Sequence, residues 1–263
     1  MNIFDWQQMK QNNQKISMVT CYDFWSAQII AQSNIDCILV GDSAAMVMHG
    51  HKTTLPATID MMISHCNAVV KGAPNKFIIG DMPFCSYRKS LDYTMNAIDA
   101  IMKAGAHAIK LEGAGDNIPI IEHIVRSGVP VMGHLGLTPQ SIHALGGFKV
   151  QGKTHSAATQ ILAQAQSLQN AGCFALVLEC VPYKLAKAIT DNLSIPTIGI
   201  GAGPYTSGQV LVLQDLLGLI HHKPKFLKTY AQGFDLFKSS LNQFNDDVKS
   251  ISFPNIQEHC YEA

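Results

Sequence analysis

The stretch CILVGDSAAM, residues 37–46, runs four apolar residues into Gly-Asp-Ser and then turns apolar again. A short apolar run stopped by glycine reads as a strand buried on both faces. Asp42 stands on its lip, where it either caps the next element or contributes to a site. The punctuation recurs: FIIGDMPF puts Asp81 after an apolar run, AIKLEG puts Glu112 after another, and FALVLECVP puts Glu179 after a fourth. The chain has only 19 acids, so four at the ends of apolar runs form a pattern. That edge is where parallel barrels and open parallel sheets bind ligands.

Outward from these four, further runs complete the set of candidate strands: residues 17–22, 37–40, 77–80, 108–111, 129–132, 174–178, 196–200 and 210–213. Helix-like stretches lie between them. Residues 91–104 have Ser90 as N-cap and Gly105 as stop, and 156–171 begin at Ser156 and end before Gly172. Alternation of eight strands with helices over roughly 250 residues predicts an α/β fold, a single (β/α)8 TIM barrel. A doubly wound sheet satisfies the same alternation and is the competing fold. No linker, low-complexity tract or repeat interrupts residues 1–263, which predicts one domain with an N-terminal helical segment over about 1–15 and a C-terminal helical tail over about 225–263. The amphipathic FLKTYAQGFDLFKSSL lies in that tail.

The bulk composition narrows the function. Hydrophobic residues make up 47% and charged residues 14%, with a formal net charge of zero and scattered Lys and Arg. Nucleic acid and anionic membrane surfaces therefore gain no electrostatic support as partners. Seven cysteines without a C-x-x-C pair fit a reduced, cytoplasmic protein. The start MNIFDWQQMKQNNQK lacks the basic and apolar regions of a signal peptide, and no apolar stretch is long enough to span a membrane.

Each acid has a plain alternative reading. Asp42 and Asp81 suit caps or turns, and Pro83 follows Asp81 closely. Glu is a poor N-cap, so Glu112 and Glu179 fit that reading less well. A charged Glu inside LVLECV costs several kcal/mol to bury unless something compensates it. In AIKLE, Lys110 and Glu112 are two apart and share one strand face, while Ile109 and Leu111 take the other. Lys110 is thus a partner for a substrate carboxylate or phosphate, or for a neighbouring acid. A donor set of oxygens without His/Cys clustering points to a hard cation, Mg²⁺ above all. His49 and His51 form H-x-H without a third partner and read as a solvated or structural pair. His134, in GHLGLTPQS, stands at the same rim as the acids, as a structural or a substrate-binding group. GIGAGP fits no dinucleotide or Walker pattern and reads as a close backbone approach to a ligand or as tight packing. ALGGFKVQGK (144–153) is long and glycine-rich enough to cover a site. Together these residues predict metal-assisted chemistry on a small oxo acid.

With these motifs in view, the chain resembles the ketopantoate (3-methyl-2-oxobutanoate) hydroxymethyltransferase family. VGDS, GHKTTLPAT, GDMPF, IKLEG, GHLGLTPQS, GGFKVQG, LVLECVP and IGIGAG run in the family's order over about residues 19–225. The resemblance implies a barrel of the phosphoenolpyruvate/pyruvate superfamily, assembled as a homo-oligomeric decamer. It implies transfer of a hydroxymethyl group from 5,10-methylenetetrahydrofolate to 3-methyl-2-oxobutanoate through a Mg²⁺-stabilised enolate. The product is 2-dehydropantoate, in the first committed step of pantothenate biosynthesis. Residue by residue, it implies Asp42, Asp81 and Glu112 around Mg²⁺, directly or through water. It further implies Asp42, Ser43, Asp81 and Lys110 on the oxo acid, and Glu179 as the base. The family's usual Leu or Val followed by Gly after GDS is replaced here by Ala44-Ala45. The alternative is another metal-dependent oxo-acid lyase or mutase of the superfamily; lyases there usually carry a K-K-C-G-H-type loop that this chain lacks.

Overall fold

In the computed structural model, which describes residues 1–220 and 224–261, eight short strands close into a parallel barrel in sequence order. They are β1 (Ile16–Thr20), β2 (Cys37–Val40), β3 (Phe77–Asp81), β4 (Ala108–Lys110), β5 (Val131–Gly136), β6 (Ala175–Glu179), β7 (Thr197–Ile200) and β8 (Gly208–Leu211), with β8 returning to pair with β1. Closure decides for the barrel over the doubly wound sheet. The helices of this unit are α1 (Ile3–Gln11), α2 (Phe24–Gln32), α3 (Ala44–Val47), α4 (Ile59–Gly72), α5 (Leu91–Lys103), α6 (Ile118–Arg126), α7 (Ile142–Leu145), α8 (His155–Asn170) and α9 (Tyr183–Asn192).

The chain divides into two compact units, Met1–Val212 and Leu213–Ala263. The second contains α10 (Leu213–Leu216), α11 (Gly233–Lys249) and α12 (Ile256–His259), and Phe244 packs edge-on against Phe253 there. Residues 262–263 of the expected tail lie outside the described residues.

Inside the barrel every second residue joins one apolar cluster. Phe77 and Ile79 of β3, Ala108 of β4, Met132 of β5 and Ala175 and Val177 of β6 belong to it, with Trp6 of α1 sealing the amino end. The next steps of the same period-two series are Asp81, Lys110, His134 and Glu179. Strand alternation alone therefore carries each inward face from apolar at the bottom to charged at the mouth. The other faces, such as Ile78, Ile109 and Leu176, are fully buried under the helices. Gly80 lets α5 approach closely, since a Cβ there would lie 2.5 Å from Ile101 Cγ2.

Boundaries shift in informative ways. β5 starts and ends later than expected because Pro130 supplies only its carbonyl, to Ile109, and pairing continues through Gly136. β8 starts two residues earlier, at Gly208, where a side chain would strike the Ile16 carbonyl. Ser90 caps α5 as expected, through Tyr93 N–H. The cap of α8, however, is Thr154, which accepts from Ala157 N–H, rather than Ser156.

Candidate active site

At the carboxyl mouth the barrel register sets Asp81 beside Lys110 and Glu179 beside Gly136. Lys110 Nζ lies 2.8 Å from Asp81 Oδ1 and 3.9 Å from Glu112 Oε1, all buried. Asp42 donates its backbone N–H to Asp81 Oδ2 at 3.2 Å. The side chain of Asp42 does not cap α3, whose N-cap is Ser43. Instead its Oδ2 accepts from Gln140 Nε2 at 2.9 Å. Ser43 Oγ shares a 2.8 Å hydrogen bond with the phenol of Tyr22, and Gly41 leaves room for it. Ala44 and Ala45 are fully buried in the turn of α3, a helical backbone to which alanine is better suited than glycine.

Glu112 lies just beyond β4. Its Oε2 accepts from Gln140 N–H at 3.0 Å, and its carbonyl accepts from Asn117 at 2.9 Å and Arg88 at 3.0 Å. His134 connects the two glutamates: Nδ1 is 3.5 Å from Glu112 Oε1 and Nε2 is 3.3 Å from Glu179 Oε2. The second contact is an ion pair that is not aligned as a hydrogen bond. It supplies the compensation that a Glu in an apolar strand requires. Glu179 remains the most open member, with 17% of its side chain exposed against 4% or less for Lys110, Asp81, Glu112 and His134.

The electrostatics follow from three carboxylates in one dry space. Burial pushes Asp42 well above the usual carboxylate range, and the charges of Asp81 and Glu112 add to it. Burial also raises Asp81, with Lys110 opposing. Burial works against a charged Lys110, but Asp81, then Glu112 and Asp42, outweigh it and hold the ammonium charged. For Glu112 burial is likewise outweighed, here by His134 first, so its carboxyl is held low. Burial and Lys110 oppose a charged His134, yet Glu112 and Glu179 raise it to about 9. As an imidazolium it faces both acids, and its 3.4 Å approach to Lys110 is offset by Glu112 beside both.

Among the described residues, no group of three or more His, Cys, Asp or Glu side chains is arranged to hold a metal ion. Glu112 is taken up by His134, Lys110 and Gln140. Asp42 and Asp81 remain as an adjacent all-oxygen pair whose ionised forms lack a full complement of positive charge. One or two carboxylates plus water suit Mg²⁺, so this pair fits it.

Sequence did not single out Gln140, Tyr22 and Tyr87 at the mouth, nor Asn117 and Arg88 on the Glu112 carbonyl. Tyr87 donates to Gln140 Oε1 at 2.7 Å and accepts from Glu112 N–H at 3.2 Å. The quoted motif LTPQS contained Gln140, but an amide in a loop has no periodic signature. His49 pairs with His65 at 3.0 Å rather than with His51. In GIGAGP, a Cβ at Gly203 would lie 2.4 Å from Tyr183 Cβ, which agrees with tight packing. In the loop 144–153, Gly146 closes α7 in the left-handed region and Gln151 N–H donates to the Cys180 carbonyl at 2.9 Å. Cys180, next to Glu179, is itself left-handed with φ 46°.

A family profile described as ketopantoate hydroxymethyltransferase matches residues 1–256. A protein of Coxiella burnetii named 3-methyl-2-oxobutanoate hydroxymethyltransferase is 64% identical over 263 residues, covering 99% of each chain. One of the same name from Bdellovibrio bacteriovorus is 58% identical over 257 residues, covering 97% of this chain and 98% of that one. Among solved structures, 2,3-dimethylmalate lyase, a PEP mutase/isocitrate lyase superfamily member, superposes with a TM-score of 0.61 at 13% identity over 98% of this chain and 91% of that one. That likeness is one of fold. No described helix is long and apolar enough to cross a membrane. The chain belongs to the ketopantoate hydroxymethyltransferase family.

Proposed function

We propose that this enzyme transfers a hydroxymethyl group from 5,10-methylenetetrahydrofolate to 3-methyl-2-oxobutanoate. The product is 2-dehydropantoate, in the first committed step of pantothenate biosynthesis. The observation that carries the reading is the buried set of Asp42, Asp81, Lys110, Glu112 and His134, with Glu179 beside it, at the mouth of a barrel of this family. Asp42 and Asp81 would hold Mg²⁺, with Glu112 acting through water. When bound, the cation draws charge from the keto and carboxylate oxygens of the oxo acid and acidifies the neighbouring C–H.

The chain's own groups do the rest. Each pKa unit of C–H acidity is worth about 1.4 kcal/mol, and the Lys110 ammonium, held charged by three acids, supports the negative charge as the proton leaves. Ser43 donates to the substrate carboxylate, its rotor set by Tyr22. Glu179 takes the C3 proton on its carboxylate, steadied by His134. C3 then bonds to the methylene carbon, and water supplies the hydroxyl as tetrahydrofolate leaves. His134 also borders the substrate. On the same reading the enzyme works in the cytoplasm as a homo-oligomer of the decameric type.

A turnover assay with both substrates and Mg²⁺ tests this. Product should form only when the folate is present; cleavage or rearrangement of the oxo acid alone would favour a lyase or mutase. For the base, Glu179→Gln should abolish exchange of the C3 proton in D₂O while leaving oxo-acid affinity intact. Full exchange in that variant would remove Glu179 from the role.

A further inference from the structure

We infer that Gln140 is a positioning residue that selects which carboxylate oxygen the site offers to its cation, with Tyr87 holding Gln140 in that orientation. The inference rests on the reading of Asp42 and Asp81 as the metal pair. Gln140 is 2% exposed, far from solvent for an amide. Every polar group of its side chain is engaged. Nε2 donates to Asp42 Oδ2 at 2.9 Å and to the Met82 carbonyl at 2.8 Å, which uses both hydrogens. Oε1 accepts from Tyr87 at 2.7 Å, and the backbone N–H donates to Glu112 Oε2 at 3.0 Å. One residue thus bridges the ends of β2, β3 and β4 from the turn after β5. The Tyr87 and Met82 contacts decide the amide orientation, because a flipped amide would set its carbonyl against the Met82 carbonyl.

Consider the six oxygens of Asp42, Asp81 and Glu112. Asp81 Oδ1 faces Lys110 and its Oδ2 accepts from Asp42 N–H. Glu112 Oε1 faces His134 and Lys110, and its Oε2 accepts from Gln140 N–H. Asp42 Oδ2 is held by the Gln140 amide. Asp42 Oδ1 alone has neither a hydrogen bond nor an ion pair among the described residues. Gln140 therefore does for Asp42 what an outer hydrogen-bonding partner does for a metal ligand: it fixes the carboxylate plane and leaves one oxygen open. Without the amide, Asp42 is free to rotate about its terminal torsion, which is soft.

The test is calorimetric titration of MgCl₂ into the purified full-length wild type, Gln140→Met, Tyr87→Phe and the double variant, with melting temperatures recorded alongside. Methionine keeps the side-chain length and removes the amide. Gln140→Met should weaken Mg²⁺ binding by about 10–100-fold, the usual effect of losing such a partner. Tyr87→Phe should weaken it by less, and the double variant should fall short of the product of the two. A lowered melting temperature with Mg²⁺ affinity within about twofold of wild type would make Gln140 a packing residue and overturn the inference. If Gln140→Met does not fold, Tyr87→Phe decides by the same criterion. Absence of Mg²⁺ binding by the wild type would instead overturn the metal reading beneath it.

Discussion

The two ends of the barrel are built from the same alternating positions and do opposite things. At the amino end the inward residues are aromatic and aliphatic. Trp6 sits edge-on to Phe77 at 5.9 Å and to Phe174 at 5.4 Å. At the carboxyl end, two to four residues along the same strands, the inward positions carry Asp81, Lys110, Glu112 and His134, all still buried, and the more open Glu179. The amino end gains stability from every apolar contact. The mouth holds like charges together in a medium that penalises them, so its stability depends on the pairing of its acids with Lys110 and His134.

The sharpest way to break this contrast is at its charge centre. Lys110→Met leaves buried acids without their counter-charge and should cost about 3–5 kcal/mol of stability as well as turnover. A near-native denaturation midpoint would show that the cluster does not depend on it. Trp6→Ala at the other end should cost about 3 kcal/mol, because a large ring leaves a cavity, yet kcat of the folded fraction should stay within about twofold. Loss of turnover without loss of stability would mean the ends are not separable.

A subtler difference appears with pH. His134 is raised from 6.5 to about 9, so the proton it holds stabilises the fold fully below pH 6.5, and this contribution fades as pH climbs through about 9. The raised Asp42 carboxyl acts with the same sign from lower pH, since its ionisation costs more folded than unfolded. Melting temperature should therefore fall between pH 6.5 and 9, and Mg²⁺ should restore more of it at the alkaline end, where protons compete less. A pH-independent Mg²⁺ effect would contradict this. The smallest effect is expected at Cys180, where Cys180→Val puts a β-branched residue at positive φ and should cost about 1 kcal/mol with a modest fall in kcat, whereas Cys180→Gly should be tolerated.

Much of this was legible because burial and alternation are local signals. CILV, FIIGD and AIK became strands near their expected positions, and the acids after them met at one mouth since parallel closure brings all carboxyl ends together. Lys110 and Glu112 share a face because they are two apart. What was not legible depends on contacts between distant residues. Gln140 lies 98 positions from the Asp42 it holds, and its loop gives no period to read. His65 displaces His51 as the partner of His49 because α4 delivers it there, which spacing within H-x-H cannot foresee. Thr154 takes the cap expected of Ser156 because either residue satisfies the same local rule and the chain entering α8 chooses between them.

The hydrogen bond from Gln151 to the Cys180 carbonyl ties the loop of residues 144–153 to the residue after Glu179. The loop and the end of β6 are therefore joined by a backbone hydrogen bond. On the proposed assignment of Glu179 as base, a displacement of the loop that breaks this bond frees the residue next to the proton acceptor, which would couple covering of the site to placement of its base.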